Sequence, residues 1–149
     1  MKKRLKISSV WNVFAPFIKD MLEDIHGNKC VTCPKESLVG RDRQLGHFMP
    51  KKSYPKVRWW IYNLGLQCGK CNGFEGGNQY KFSLWIKKTY GKAVLDSIDL
   101  ICRQNTNVGQ YEYNLIISQI KDYKQKVDNK EMTYKEVFND IINNKFGIF

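Results

Sequence analysis

Two Cys-x-x-Cys pairs constrain this chain more than any other feature. Cys30-Val-Thr-Cys33 and Cys68-Gly-Lys-Cys71 have the spacing of two zinc knuckles. Thiolates two residues apart on a tight turn converge on one ion, and two such turns complete a tetrahedral shell. A structural Zn2+ held this way supplies folding energy where the hydrophobic core is small. A redox Cys-x-x-Cys would need a surrounding βαβ pattern, which the flanks lack. A closed four-thiolate shell has no open position, so this ion should do no chemistry. The pairs are separated by 34 residues, more than a simple ribbon needs, and the gap holds His47, one of two histidines in the chain. The fifth cysteine, Cys102, falls on an apolar helical face and reads as a core residue.

Charge points to the partner. The chain of 149 residues carries 25 Lys and Arg against 14 Asp and Glu, a formal net charge of +11. An excess of that size suits a polyanion, most often nucleic acid. It is concentrated: residues 41–70 hold Arg41, Arg43, Lys51, Lys52, Lys56, Arg58 and Lys70 against Asp42 alone. A merely soluble basic protein would not need that clustering. No apolar run approaches the roughly 18 residues of a membrane span. The basic N-terminus is followed by no apolar signal region. The expectation is a cytoplasmic protein with no membrane partner and reduced thiols.

The expected fold is α+β and mostly α: a small zinc-bound ββα core flanked by helices. Residues 1–29 form an N-terminal helical arm, 30–90 the core, and 91–149 a helical region suited to dimerisation. Phe14, Ile18, Met21, Leu22 and Ile25 give one apolar stripe over residues 8–26. Ser8 or Ser9 could cap it and Gly27 ends it. Pro16 either kinks this helix or opens a shorter one. Two β-type runs, "RQLGHF" and "VRWWIY", predict a hairpin whose long connection contains Pro50 and Pro55. Strand alternation would bury Trp59 and Ile61 and turn Trp60 and Tyr62 outward. Asn78 reads as the cap of a helix ending at Gly91. Further helices follow over "KAVLDSIDLICRQ", over about residues 109–128, and from Thr133, which opens a capping box with Glu136.

Cutting a phosphodiester needs a base for the attacking water, a cation for the phosphoryl and leaving oxygens, and a group that orients the base. A lone histidine on a β-type run is commonly structural. Here it is followed by Asn63, five residues before Cys68, and by Asn72, directly after Cys71. Between His47 and Asn63 lie Lys51, Lys52, Lys56 and Arg58, a cationic loop able to clamp a DNA backbone or simply to be solvated. Arg43 and Lys70 belong to the same basic stretch. Asn63 and Asn72 can also serve turns and caps.

The order His, Asn, Asn beside the second knuckle resembles the HNH, or ββα-metal, nucleases, including the endonuclease VII type. The closer resemblance is to the phage NinG/Rap recombination endonucleases. It rests on Cys30 and Cys33, Gly46-His47-Phe48, Asn63, Gln67-Cys68, Cys71-Asn72, Gly77-Asn78 and Tyr80, and spans roughly residues 10–128. The resemblance implies that His47 is the general base, that Asn72 holds a catalytic Mg2+ or Mn2+, and that Asn63 braces the loop and orients His47. It implies a homodimer acting on branched DNA such as a Holliday junction. Many HNH enzymes carry an Asp before the base as a second metal ligand, and this chain has Gly46. Glu75, Asn78 and Gln44 are the candidates to replace it. Two rival readings stand beside this one: a nicking or homing-type HNH enzyme on duplex DNA, and a zinc-stabilised nucleic-acid-binding protein without catalysis.

Overall fold

A computed structural model of the protein describes residues 4–104 and 107–143. The sequence-derived segments 1–29 and 91–149 therefore run partly outside the described residues. The order of elements is α1 (Ile7–His26), β1 (Gln44–His47), β2 (Leu64–Gln67), α2 (Gln79–Tyr90), α3 (Lys92–Cys102), α4 (Gln110–Asp128) and α5 (Tyr134–Asn143). The fold is mostly helical, with one two-stranded antiparallel sheet in which Gln44 faces Gln67 and His47 faces Leu64.

The apolar stripe of α1 is the spine of the core. Val10, Phe14, Ile18, Met21 and Leu22 are buried, each side chain contributing roughly 1.5–3 kcal/mol. They share one cluster with Leu45 and Leu66 of the sheet, Tyr113, Ile116 and Ile120 of α4, and Val137 and Ile141 of α5. Segments from all three parts of the sequence thus pack into one core. Pro16 lies inside the helix. Pro16 and Asn12, whose carbonyl loses its helical donor, both face solvent, where water can replace the lost bond. Neither serine caps α1: the helix begins at Ile7, with Lys6 at the cap position and no side-chain cap. Its start is held from a distance, since Gln110 accepts from Leu5 N–H (2.7 Å) and donates to Leu5 O (2.9 Å). Gly27 ends α1 at φ 85°, and Thr133 and Glu136 form the expected capping box.

The second strand is not "VRWWIY". Residues Pro55–Trp59 and Ile61–Asn63 form 3₁₀ turns, and β2 begins at Leu64. Trp59 and Ile61 are buried nonetheless, placed by the turns instead of by strand alternation. Trp60 and Tyr62 are half-buried and pack on a second cluster built on Phe82, Ile86 and Ile98. Asn78 precedes α2 in a left-handed conformation, φ 49°, and makes no side-chain cap bond. Its amide instead donates to Glu75 Oε2 at 3.0 Å.

Candidate metal centre and active-site hairpin

The four knuckle cysteines converge. Their Sγ atoms all lie within 4.8 Å of one another, and Cys33 and Cys68 are 3.8 Å apart. A thiolate tetrahedron with Zn–S bonds of about 2.3 Å has edges of about 3.8 Å, so the cluster fits a structural Zn2+. Burial raises the Cys30 thiol, but the Thr32 hydroxyl and the N–H groups of Cys68 and Thr32 outweigh it and bring it down to about 7. Burial, together with Cys33 and Cys68 beside it, pushes Cys71 up to about 12. Four crowded thiols cannot all ionise without a cation among them, and a metal is that cation. The first knuckle is stitched to the sheet by Val31 N–H donating to Leu66 O at 2.9 Å.

His47 ends β1 on the face that looks at α1. Its imidazole lies against Trp11, with ring centroids 5.4 Å apart and 27° between planes. Its Nε2 is 3.0 Å from the Arg58 carbonyl. A carbonyl only accepts, so Nε2 carries the proton and Nδ1 keeps the lone pair. Among the described residues Nδ1 has no hydrogen-bond partner, and it is not among the buried unpartnered atoms. Burial lowers the His47 pKa to about 4, with the nearby Lys51 and Arg58 charges adding to the effect. The ring is therefore neutral at neutral pH.

Asn63 is fully buried and holds the loop that presents the Arg58 carbonyl. Its Oδ1 accepts from Met49 N–H at 2.8 Å, and its Nδ2 donates to Met49 O at 3.1 Å and Val57 O at 3.0 Å. His47, Asn63 and the 48–58 loop make one cluster. Asn72 belongs to another. It sits in the π-turn Lys70–Phe74 of the second knuckle and donates to Gln44 Oε1 at 2.7 Å. Gln44 is three residues from His47, so strand alternation puts the two side chains on opposite faces of β1. No hydrogen bond joins His47 to Asn72. Of the candidate second ligands, Gln44 is the one bonded to Asn72, while Glu75 is engaged by Asn78 and lies 3.5 Å from Lys70.

Gln67 was legible only as part of the Gln-Cys motif. It is fully buried, and its Nε2 donates to Thr32 Oγ1 at 3.0 Å and Gly77 O at 2.8 Å. It ties the sheet to the first knuckle and to the start of α2. Trp11, the ring under His47, continues the apolar side of α1 one turn before Phe14, a signal present in the helical spacing. The Arg58 carbonyl is backbone and has no signal in residue type.

The basic residues divide. Lys51 and Lys52 are exposed, and the Lys51 ammonium stands 5.0 Å over the Trp11 ring, beside His47. Lys52 and Lys56 line a polar cleft of about 320 Å³ with Arg103, and Lys56 also donates to Gln104 at 2.9 Å. Arg58 donates to Lys51 O at 3.2 Å. Lys70 is exposed near Glu75. Arg43 is committed inside the fold: its guanidinium pairs with Asp20 at 2.8 Å and Glu23 at 2.6 Å, tying β1 to α1.

A cluster of four cysteines that fits a structural Zn2+ and braces a short hairpin, with a neutral histidine at its end, defines a mostly helical α+β domain. The chain belongs to the family described as Bacteriophage Lambda NinG protein, which matches residues 2–133. It is also similar to the Septu protein PtuB of Bacillus thuringiensis, with 36% identity over 77 residues. That match covers 50% of this chain and 28% of the relative, so the chain spans well under a third of the relative's length. No solved structure matches it. Among the described residues, no helix is long and apolar enough to cross a membrane.

Proposed function

We propose that the protein is an HNH-type, metal-dependent endodeoxyribonuclease that cuts branched DNA in the cytoplasm, working as a homodimer. The observation that carries this reading is the tautomer of His47. A ring whose Nε2 proton is spent on the Arg58 carbonyl and whose pKa is depressed offers a neutral Nδ1 to a water at physiological pH. That is the state a general base must be in before it can act. Asn63 fixes the base indirectly, by holding the loop that carries Arg58.

The donor set near Asn72 suits a hard cation weakly. The Asn72 Oδ1 and Gln44 Oε1 amide oxygens are neutral, and the nearby Asp42 carboxylate is engaged by Gly69 N–H and Lys35. Mg2+ or Mn2+ there would keep most of its waters and rely on substrate phosphate. Such an ion supplies neutralisation of the scissile phosphate and the leaving oxygen. Lys51, Lys52, Lys56, Arg58 and Lys70 draw in the DNA backbone without reading its sequence. Symmetric cutting of a four-way junction needs two active sites, which a homodimer provides.

The second reading, a zinc-stabilised DNA-binding protein without catalysis, is favoured by one observation: His47 and Gln44, the residue that holds Asn72, leave opposite faces of β1. Activity on ordinary duplex is the third. Labelled four-way junction and linear duplex of the same sequence, incubated with Mg2+ and with EDTA, separate them. Mg2+-dependent cutting of the junction alone supports the proposal. Equal cutting of both substrates makes it a duplex nuclease. Tight binding of both without cutting under Mg2+ or Mn2+ makes it a binder.

A further inference from the structure

The most exposed large apolar side chain among the described residues is Phe74, 93% accessible, and six residues on Tyr80 is 72% accessible. Among the described residues, neither ring contacts another aromatic ring, and Phe74 makes no side-chain contact of the kinds that hold the rest of the turn. An exposed phenylalanine on a flexible tail would mean little. This one is carried on a hydrogen-bonded turn. The turn that presents it is closed by Gly77 N–H donating to Cys71 O (2.9 Å), Glu75 N–H to Lys70 O (3.1 Å) and Asn78 N–H to Glu75 O (3.0 Å). Asn78 Nδ2 adds a bond to Glu75 Oε2 at 3.0 Å. Gly76, Gly77 and Asn78 all take positive φ, at 58°, 87° and 49°, which defines the turn closely. Through Cys71 the whole turn is part of the second zinc knuckle. At 93% exposure, the ring is covered by nothing among the described residues, and Gly73 beside it also has open space around it. Lys70 and Lys81, both exposed, flank the two aromatics in the sequence, and Lys70 lies 3.5 Å from Glu75.

Solvent-exposed apolar rings among cations suit a flat, apolar face carried on a polyanion, which is a nucleobase. In duplex DNA both faces of each base are already stacked. At a branch point some are free or easily freed. Resting on the DNA reading above, we infer that Phe74 is a stacking wedge that takes an unstacked base at the branch and gives the protein its preference for branched over linear DNA. Phe74 is two residues from Asn72, so a base held on it would fix the position of the neighbouring phosphate relative to the hairpin. Phe74 is a specificity-determining residue in this proposal and takes no part in proton transfer.

The test separates this wedge from the nuclease reading by measuring binding in EDTA, where nothing is cut. A synthetic four-way junction carries 2-aminopurine at the branch, and a linear duplex carries it at the same sequence position. Wild type should raise the fluorescence of the junction and leave that of the duplex unchanged. Phe74→Ala should abolish the rise and weaken junction binding about tenfold, with duplex affinity and zinc content unchanged. Phe74→Tyr should restore both signals, and His47→Ala should bind and report as wild type does. If Phe74→Ala binds the junction as wild type does, or loses junction and duplex equally, the wedge is wrong. If it alters self-association instead, the ring is a contact between copies of the chain, and the wedge is equally wrong. If wild type shows the Phe74-dependent signal yet never cuts in Mg2+, the wedge stands and the nuclease reading falls.

Discussion

Gly46 is followed by the proposed base, and the space its side chain would occupy is already filled. A Cβ at position 46 would lie 1.9 Å from Gln67 Oε1 and 2.7 Å from Gln67 Cδ. An Asp of the kind many HNH enzymes carry there cannot coexist with Gln67 as it sits. Gly46→Ala should therefore cost about 1–3 kcal/mol of stability, and Gln67→Ala in the same chain should relieve part of that loss. Urea unfolding of the two single variants and the double variant measures the coupling; strict additivity would contradict the clash. Asn63 makes three bonds to the loop, the one to Val57 O buried and the two to Met49 partly so, and Asn63→Ala leaves their partners without it. A loss of about 3 kcal/mol is expected from the same measurement. His47 adds an acid sensitivity. Burial holds its folded pKa at about 4, against roughly 6.5 in the unfolded chain. The unfolded state therefore binds a proton first, and stability falls as pH drops from about 6.5 towards 4. About 2 kcal/mol should be gone by pH 5. Comparing wild type with His47→Gln at pH 7 and pH 5 isolates this slope, because zinc release is common to both proteins.

The sheet shows where residue pattern stops carrying information. Helices α1 to α5 were legible because each repeats apolar residues at helical spacing, and Gly27 and Gly91 mark two of their ends. Strand β2 was not. Leu64, Gly65, Leu66 and Gln67 are all buried, with α1 on one face and Val31 and Phe82 against Gly65 on the other. A strand buried on both faces shows no alternation, and four residues are too few to reveal a period. "VRWWIY" looked more strand-like by composition, but Pro55 at its start and the Asn63 clamp at its end turn it into 3₁₀ geometry. The zinc ligands were readable from spacing alone, whereas the Arg58 carbonyl and the packing of Gln67 over Gly46 were not, because both depend on tertiary placement. Two strands of four residues are marginal by themselves, and a metal in the cysteine cluster would add to the packing of α1 against them. Structural zinc binding of about 10 kcal/mol or more rivals the whole stability of a domain this size. Cys68→Ser should lose bound zinc and unfold at a markedly lower temperature, read by metal analysis and thermal melting. An unchanged melt after zinc loss would contradict the role given to the knuckles.

At the scale of the molecule, the charge map separates a cation that holds the fold from cations to which the proposed function gives DNA contact. Arg43 serves the fold by pairing with Asp20 and Glu23, whereas Lys52 and Lys56 line an open cleft. Each phosphate contact contributes about 0.9 to the slope of log affinity against log salt. Replacing Lys52 and Lys56 with alanine should lower that slope by about 2, and Arg43→Ala should leave it unchanged while lowering thermal stability. The reverse pattern would redraw the DNA-binding surface. One further measurement reaches the central claim directly: single-turnover cutting of a four-way junction in Mg2+ by wild type and by His47→Ala, with junction affinity measured in parallel. If His47 is the general base, binding is unchanged and the cutting rate falls about 10²–10⁴-fold. If the variant cuts at the wild-type rate, His47 is a packing residue on Trp11, and the chemistry lies elsewhere.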